Sequence, residues 1–433
     1  MNIIKFIFTT ILLSVAITPL SAQQPIPAPA QTKRILIMGA TAHLGNGTVI
    51  NNSVLGFANG KIVLVGDASI VRLNKSAFDT IISAEGMHLY PGLIALNTQL
   101  GLNEIEAVRA TNDQSETGEM NPSARSIIAY NTDSKVTPTV RSNGILLAEI
   151  APGGARISGQ SSVVQLDAWN WEDAMVKSDA GIHLNWPGMQ ISPSSPGKSQ
   201  QEQEKKIASE IEKLHNLFAD ASAYSGINSP DKINLNLEAM RGLFTGSKKL
   251  FVHCGYVKEI ISAADMCHEF GISMVLVGGE DSWMVTDLLK ARNIPVVISN
   301  THKLPSREDE AVDLPYRLPA ILHNAGIQIA ISEPGFWQVR NLPFQSGTAS
   351  AYGLTKEEIL SAVTRDPAAI LGILDTYGTL EEGKSATFFL SSGDIFDMKT
   401  NSVQSAWING RSIDLRNIQT ALNRKFRDKY GLK

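Results

Sequence analysis

The stretch that decides the fold is residues 249–299, KLFVHCGYVKEIISAADMCHEFGISMVLVGGEDSWMVTDLLKARNIPVVIS. It alternates short apolar runs with segments in which apolar residues recur at helical spacing: Lys249–Cys254, Val257–Phe270, Ser273–Val277, Ser282–Ala291 and Val296–Ser299. Strand, helix and strand at this spacing is typical of parallel βα units. The stretch therefore predicts part of a parallel α/β domain.

The same alternation continues on both sides of this stretch. An apolar run, Ile145–Ile150, precedes it, and a helical segment, Tyr316–Ala325, is followed by the run Gln328–Ile331. Units of this kind over roughly 280 residues suit an eight-fold barrel better than an open sheet. The pattern predicts a (β/α)8 TIM-type barrel over residues 91–375.

The two ends of the chain have strand character instead. Residues 34–90 contain β-branched runs around Asn59-Gly60, which is a strong hairpin signal. Residues 376–433 contain two further short runs, Phe388–Leu390 and Val403–Ile408. This tail is too small to fold alone. We therefore expect the two ends to form one small β-sandwich domain beside the barrel.

The first residues have the features of a secretory signal peptide, residues 1–22. Lys5 provides a positive start, Phe6–Leu20 is apolar but short for a membrane span, and Ser21-Ala22 offers a small-residue cleavage point. An uncleaved N-terminal anchor is the alternative. Residues 23–33 are rich in proline and alanine and predict a linker. The sequence thus predicts a periplasmic or secreted protein with no membrane span after signal cleavage.

Composition excludes several classes of function. The 433 residues are 43% apolar and 18% charged, an ordinary balance for a globular chain. Lys and Arg number 38 against 42 Asp and Glu, which argues against a nucleic-acid binder. Two cysteines, Cys254 and Cys267, cannot build a disulfide framework or a multi-cysteine zinc site.

Three groups of motifs, in order along the chain, carry a resemblance to a known family. They are Gly60–Gly66 with Tyr90–Ile94, Arg340–Phe344 with Ala351–Thr355 and Thr364–Gly372, and Gly378–Lys384 with Trp407–Gly410. In these motifs the chain resembles the amidohydrolase superfamily, in its imidazolonepropionase-like branch. The resemblance implies a (β/α)8 barrel flanked by a β-sandwich of both chain ends. It also implies hydrolysis of C–N bonds in amides or peptides by a water activated on one or two divalent metal ions such as zinc.

The positions at which the family carries metal ligands are mostly occupied by other residues. Asn97 and Gln99 stand where the resemblance implies a His-x-His pair on the first barrel strand, and Gly278 stands at the sixth-strand histidine. His253 matches the fifth-strand histidine and is the candidate metal ligand. Amide oxygens bind zinc weakly compared with imidazole. The residues therefore predict a metal site that has lost most of its ligands.

Other polar residues near predicted strand ends are candidates for the pocket. Glu333 is the carboxylate nearest the eighth strand end and is either a displaced general base or a plain loop residue. Further pocket candidates are Glu280, Asp281 and His302. His183 lies near the unplaced fourth-strand ligand position and is expected to be a buried strand histidine rather than a ligand, and no clear role is expected for Glu149 or Glu238.

Three functions remain open from the sequence, and the last of them is a wall- or surface-bound scaffold that uses the linker and the basic tail. The first is a secreted hydrolase of C–N bonds with an altered metal site, acting on a small-molecule or peptide amide. The second is a catalytically inactive relative that acts as a binding or partner subunit. The partner in that case is a second copy of the chain or a relative with a complete metal site.

Overall fold

The computed structural model describes residues 26–191 and 199–432, so the predicted signal segment, residues 1–22, lies outside the described part. Strands β1–β16 within it are Ile35–His43, Val49–Ala58, Lys61–Asp67, Thr80–Ser83, His88–Pro91, Leu93–Thr98, Ile145–Ile150, Ile157–Gln165, Met175–Asn185, Lys249–Cys254, Met274–Gly278, Val296–Ile298, Ile329–Ile331, Phe388–Ser391, Val403–Ile408 and Arg411–Ser412.

The helices α1–α12 of this part are Ser126–Ala129, Thr137–Arg141, Trp171–Ala174, Gln200–Ser225, Leu235–Phe244, Val257–Glu269, Thr286–Ala291, Leu314–Asn324, Leu342–Thr348, Lys356–Val363, Arg365–Leu371 and Ile418–Tyr430. Short 3-10 turns lie at Lys75–Ala77, Arg109–Thr111, Ser282–Val285, Gln338–Asn341 and Ala349–Tyr352. Across residues 26–191 and 199–432 no helix is both long enough and apolar enough to span a membrane.

The eight strands β6–β13 form a TIM-like barrel. They are hydrogen-bonded in chain order, from β6 at one edge to β13 at the other. The two edges meet through a parallel bridge between Thr98 and Gly335, and the amide of Gln99 donates to the carbonyl of Gly335 at 2.7 Å. One large apolar core fills and surrounds this barrel.

The predicted (β/α)8 repeat is wrong at the third barrel strand. β8 runs antiparallel to both β7 and β9, and the other paired strands of the barrel are parallel. Residues 151–156 join β7 to β8 as a tight turn in which Gly154 has a φ of +91°. A parallel crossover needs about a dozen residues or more. This turn is too short for one, so the chain reverses.

Strands from both chain ends pair in a second sheet. β5 pairs with β14, so that Tyr90 lies opposite Phe389, and the sheet order is β16-β15-β14-β5-β1-β2-β3 with β4 added to β1. Phe57 packs edge-on against Phe388 and Trp407, with ring centroids 5.1 and 5.9 Å apart. The two chain ends therefore form one sheet, as the sequence predicts. Their arrangement as a two-layer sandwich stays a prediction.

The described part of the predicted linker, residues 26–33, is fastened to the body. The amide of Ala28 donates to Asp167 Oδ2 at 2.9 Å, and Arg411 Nη1 donates to the carbonyl of Ala28 at 3.1 Å. Gln31 Oε1 accepts from the amide of Gly60 at 2.8 Å. These bonds tie the segment to the barrel and to the two-ended sheet.

Candidate active site at the barrel mouth

Three side chains form a polar chain inside the barrel. Glu149 of β7 and His183 of β9 are fully buried, and His183 Nε2 lies 3.2 Å from Glu149 Oε1. His183 Nδ1 lies 2.9 Å from Nε2 of His253 on β10, and His253 is only partly buried. The chain of hydrogen bonds thus runs from the buried interior toward the carboxyl ends of the strands.

Glu149 is held as a carboxylate at the buried end of this chain. Ser161 Oγ donates to Oε1 at 2.6 Å, and the backbone amide of Asn97 donates to Oε2 at 3.0 Å. Burial by itself raises the pKa of Glu149, but the hydrogen bonds from His183, Ser161 and Asn97 outweigh it and lower the pKa below its ordinary value.

His253 is neutral at physiological pH. Burial, followed by the adjacent His183, lowers the pKa of His253 to about 3. A neutral imidazole has one donor and one acceptor nitrogen. His183 stacks on Phe251 at 4.8 Å with the rings within 6° of parallel. Packing on one side and the carboxylate on the other therefore fix the ring of His183, which in turn fixes His253.

The three replaced ligand positions lie at or just past the carboxyl ends of β6 and β11. Asn97 has a φ of +53° and uses its backbone amide to bind Glu149. Gln99 Oε1 accepts from Asn103 Nδ2 at 3.2 Å. Gly278 has a φ of +96°, and a Cβ atom there would lie 3.1 Å from the carbonyl oxygen of Cys254. None of these three positions offers an imidazole.

The side chains at these positions do not fit the metal that the resemblance implies. The two imidazoles face each other through Nδ1 of His183 and Nε2 of His253, and both oxygens of Glu149 already accept hydrogen bonds. Within residues 26–191 and 199–432 no group of three or more His, Cys, Asp or Glu side chains is arranged to hold a metal ion. The side chains of this site are therefore engaged with one another by hydrogen bonds.

Glu333 lies two residues after β13, at the eighth strand end. It is only 5% exposed, and its Oε2 has no hydrogen-bond partner among the described residues. Burial raises the pKa of Glu333 to about 7, against the smaller opposing effects of a hydrogen bond from Gln345 and the charge of Arg340. Both protonation states of this carboxyl are therefore populated near neutral pH.

The other predicted pocket residues follow strand ends but have separate partners. Glu280 pairs with Lys303 at 2.6 Å. Asp281 accepts from the amide of Val257 at 3.0 Å and pairs with Arg307. His302 is exposed and hydrogen-bonds to Thr348. Among the described residues no hydrogen bond joins Glu280, Asp281 or His302 to His253.

Asp281 belongs to a distinct cavity on the same face. This cavity has a volume of about 500 Å³ and is lined by residues that follow β9, β10, β11 and β12. Its polar lining includes Lys258, Glu259 and Arg307. The mouth of the barrel is therefore recessed beside strands β9–β12.

The sequence alone does not predict a role in the site for three of its residues, Glu149, Ser161 and His183. Glu149 is the single charged residue in the apolar run Ile145–Ile150, and that isolation is the signal that could have found it. Glu238, the other carboxylate without an expected role, lies on the surface and pairs with Arg241 at 3.0 Å.

Comparison with known proteins identifies the family. The model of the amidohydrolase family matches residues 177–413. An imidazolonepropionase of Rhizobium rhizogenes is 44% identical over 69 residues, which are 15% of this chain and 17% of that protein. The amidohydrolase tasK of Hapsidospora irregularis is 30% identical over 113 residues, 24% of this chain and 11% of that protein. The alignments thus span less than a fifth of the length of these curated relatives.

A solved structure agrees over a longer range. The amidohydrolase from Thermotoga maritima MSB8 superposes with a TM-score of 0.75 at 22% identity, covering 88% of this chain and 100% of that one. At this identity the likeness establishes the fold. Since the family model matches more than half of the residues, the chain belongs to the amidohydrolase family.

Proposed function

We propose that this chain hydrolyses a C–N bond of a small-molecule or peptide amide bound at the barrel mouth. Family membership supports the reaction class, and barrel enzymes carry their active sites at the carboxyl ends of the strands. The observation that carries the proposal is Glu333, a buried carboxyl with a free oxygen and a pKa of about 7 at such a strand end.

Glu333 supplies the proton transfers that amide hydrolysis needs. In its ionised form it takes a proton from water as the water oxygen adds to the amide carbon. In its protonated form it gives that proton to the amide nitrogen as the C–N bond breaks, so that the products are a carboxylic acid and an amine. A pKa near the working pH suits both steps.

His253 orients the ligand. Its neutral ring forms the mouth end of the Glu149–His183 chain and is partly exposed there. A ring held on one side by buried hydrogen bonds offers a polar contact of fixed direction to an amide group.

The second candidate is a relative that binds an amide ligand, or a partner subunit, without turnover. It is favoured by Asn97, Gln99 and Gly278, which offer no imidazole where the family implies one. In this case the chain assembles with a second copy or with a relative that has a complete metal site. For both candidates we propose that the chain acts in the periplasm or outside the cell, as residues 1–22 suggest.

Turnover assays on purified protein separate the two candidates. The substrates are panels of dipeptides, N-acyl amino acids and cyclic amides, with product amines measured by mass spectrometry. For the hydrolase, Glu333→Gln lowers kcat by about a hundredfold or more, the usual size of a general acid–base contribution. Glu238→Gln, an exposed carboxylate distant in sequence from the strand ends, is the matched control and leaves kcat unchanged.

Two results would reject the hydrolase. The first is turnover that Glu333→Gln leaves intact, which would remove this carboxyl from the reaction. The second is saturable binding of an amide, measured by calorimetry, with no product at any pH, which would support the binding protein instead.

A further inference from the structure

The C-terminal helix α12, Ile418–Tyr430, projects from the body. All of its residues are exposed, and a hydrogen bond from Thr139 Oγ1 to Gln419 Oε1 at 2.7 Å ties its first turn to the barrel. Its four large apolar side chains repeat every fourth residue: Ile418, Leu422, Phe426 and Tyr430, which are 56, 44, 47 and 65% exposed. Residues at this spacing form one ridge along a helix. We call this ridge the apolar stripe.

A helix of this length does not stand alone in water. It has 13 residues, and isolated helices shorter than about 12–15 residues are marginal even for favourable sequences. Capping by Asn417 and Thr420 and the left-handed Gly431 define its two ends but cover none of the stripe. The stripe is therefore left largely uncovered by the described residues.

The charge of the helix selects the kind of partner. Residues 411–433 contain seven basic and two acidic residues, whereas the other 410 residues contain 31 basic and 40 acidic ones. Two such helices would repel each other if they packed side by side, since each is basic. The acidic body of the same protein complements the helix in charge.

We propose that α12 of one copy docks on the acidic body of a second copy of this chain, and that the second copy returns the same contact. A helix of about 20 Å covers only part of the roughly 1,600 Å² that a standard interface buries. A two-fold dimer makes the contact twice. Reciprocal exchange thus provides the area that a single docked helix lacks.

The loop Leu304–Asp313 is the acceptor on the second copy. Leu304 and Val312 are 82 and 74% exposed, the most exposed large apolar side chains of the described residues after Ile70. Glu308 and Asp309 lie between them and are exposed as well. The loop therefore combines apolar contact with the negative charge that the basic helix requires.

The test is sedimentation velocity of the full chain over the micromolar range at low and high salt. The stripe variant is Leu422→Ser with Phe426→Ser, and the acceptor variant is Leu304→Ser with Val312→Ser. The matched control, Thr420→Ser with Ala421→Ser, changes the same helix away from the stripe and keeps both its charge and the Thr420 hydroxyl cap. Anionic vesicles of phosphatidylglycerol and phosphatidylcholine serve as the competing surface in a flotation assay.

We expect a dimer for wild type and control, and an affinity at least about tenfold weaker for the stripe and acceptor variants. High salt should weaken the wild-type dimer as well, because exposed charges are screened. Circular dichroism spectra at room temperature should show that the body of the stripe variant stays folded. Three results would overturn the proposal. The wild-type chain could stay monomeric, or the stripe variant could dimerise as tightly as wild type. The third result is a monomer that binds the vesicles in the flotation assay and loses this binding in the stripe variant.

Discussion

His183 and His253 hydrogen-bond to each other through Nδ1 and Nε2, 2.9 Å apart, while the other nitrogen of His183 contacts Glu149. Three strands of the barrel wall, β7, β9 and β10, are thereby joined by side chains, and the contact between β7 and β9 spans β8, which lies between them. The contact satisfies two imidazoles and a carboxylate that would otherwise be costly to bury.

Replacing Glu149 should destabilise the barrel. Glu149→Gln keeps the side-chain size but replaces one carboxylate oxygen by an NH2 group. The donors His183, Ser161 and the amide of Asn97 can then no longer all be accepted. A buried donor left without an acceptor costs about 1–3 kcal/mol, and urea denaturation measures this loss. Glu238→Gln on the surface is the control and should stay within about 0.5 kcal/mol of wild type. Equal stability of the two variants would contradict a structural role for the buried chain.

The pKa of Glu333 predicts a loss of stability as pH rises. Its pKa is raised from the ordinary 4.5 to about 7, so the folded state favours the protonated carboxyl. The stability from this group is complete below pH 4.5 and is lost as pH rises through about 7. Relative to wild type, Glu333→Gln should gain on the order of 2 kcal/mol between these limits, since water at the mouth screens part of the charge. A difference in the free energy of unfolding between Glu333→Gln and wild type that stays constant across this pH range would contradict the raised pKa of Glu333.

The pKa of His253 predicts the opposite dependence. Its pKa is lowered from the ordinary 6.5 to about 3, so the folded state favours the neutral ring. The resulting stability is present above pH 6.5 and is lost as pH falls toward 3. His253→Asn should therefore make the melting temperature less sensitive to acid. His268→Asn, on an exposed histidine, should keep the wild-type slope.

Gly278 should tolerate no side chain. Its φ of +96° leaves Gly278→Ala strained, and the new Cβ atom would approach the carbonyl oxygen of Cys254 to 3.1 Å. A left-handed conformation costs a residue with a Cβ atom about 1–2 kcal/mol. Gly226→Ala is the control because Gly226 has a φ of −76°, which alanine adopts freely. Thermal unfolding should show a lower melting temperature for Gly278→Ala than for Gly226→Ala. An unchanged melting temperature for Gly278→Ala would show that the backbone at this strand end shifts to accept the methyl group.

Elemental analysis tests the metal site. We expect less than one equivalent of zinc, manganese or iron per chain after dialysis, because His183 and His253 bond to each other and Asn97 offers only an amide. A different result would be one equivalent of metal that wild type and His268→Ala retain and that His253→Ala loses. It would show that the imidazoles of His183 and His253 separate to bind the ion.

The fold was predictable where local patterns are strong. The turn at Asn59-Gly60, the strand Ile145–Ile150 and the helix beginning at Val257 all occur where apolar spacing predicts them. The reversal of β8 was not predictable in this way. Ile157–Gln165 is buried at every position yet contains four buried serine and glutamine residues before its end, so neither its strand character nor its direction follows from apolar periodicity.

The candidate site was predictable only one position at a time. His253 and Gly278 follow from their place after apolar runs, as does Glu333. The contact of Glu149 with His183 joins residues 34 apart in sequence. It depends on how β7, β8 and β9 align across the reversed strand, and that alignment is a property of the closed barrel rather than of any segment.

The pairing of β5 with β14 has a consequence for synthesis. β5 ends at Pro91, and its partner begins only at Phe388, so a ribosome must translate most of the chain before the edge of β5 can be closed. Until then the nascent polypeptide carries an open strand edge, which invites aggregation. A chain built this way benefits from a chaperone that holds it until its last strands emerge.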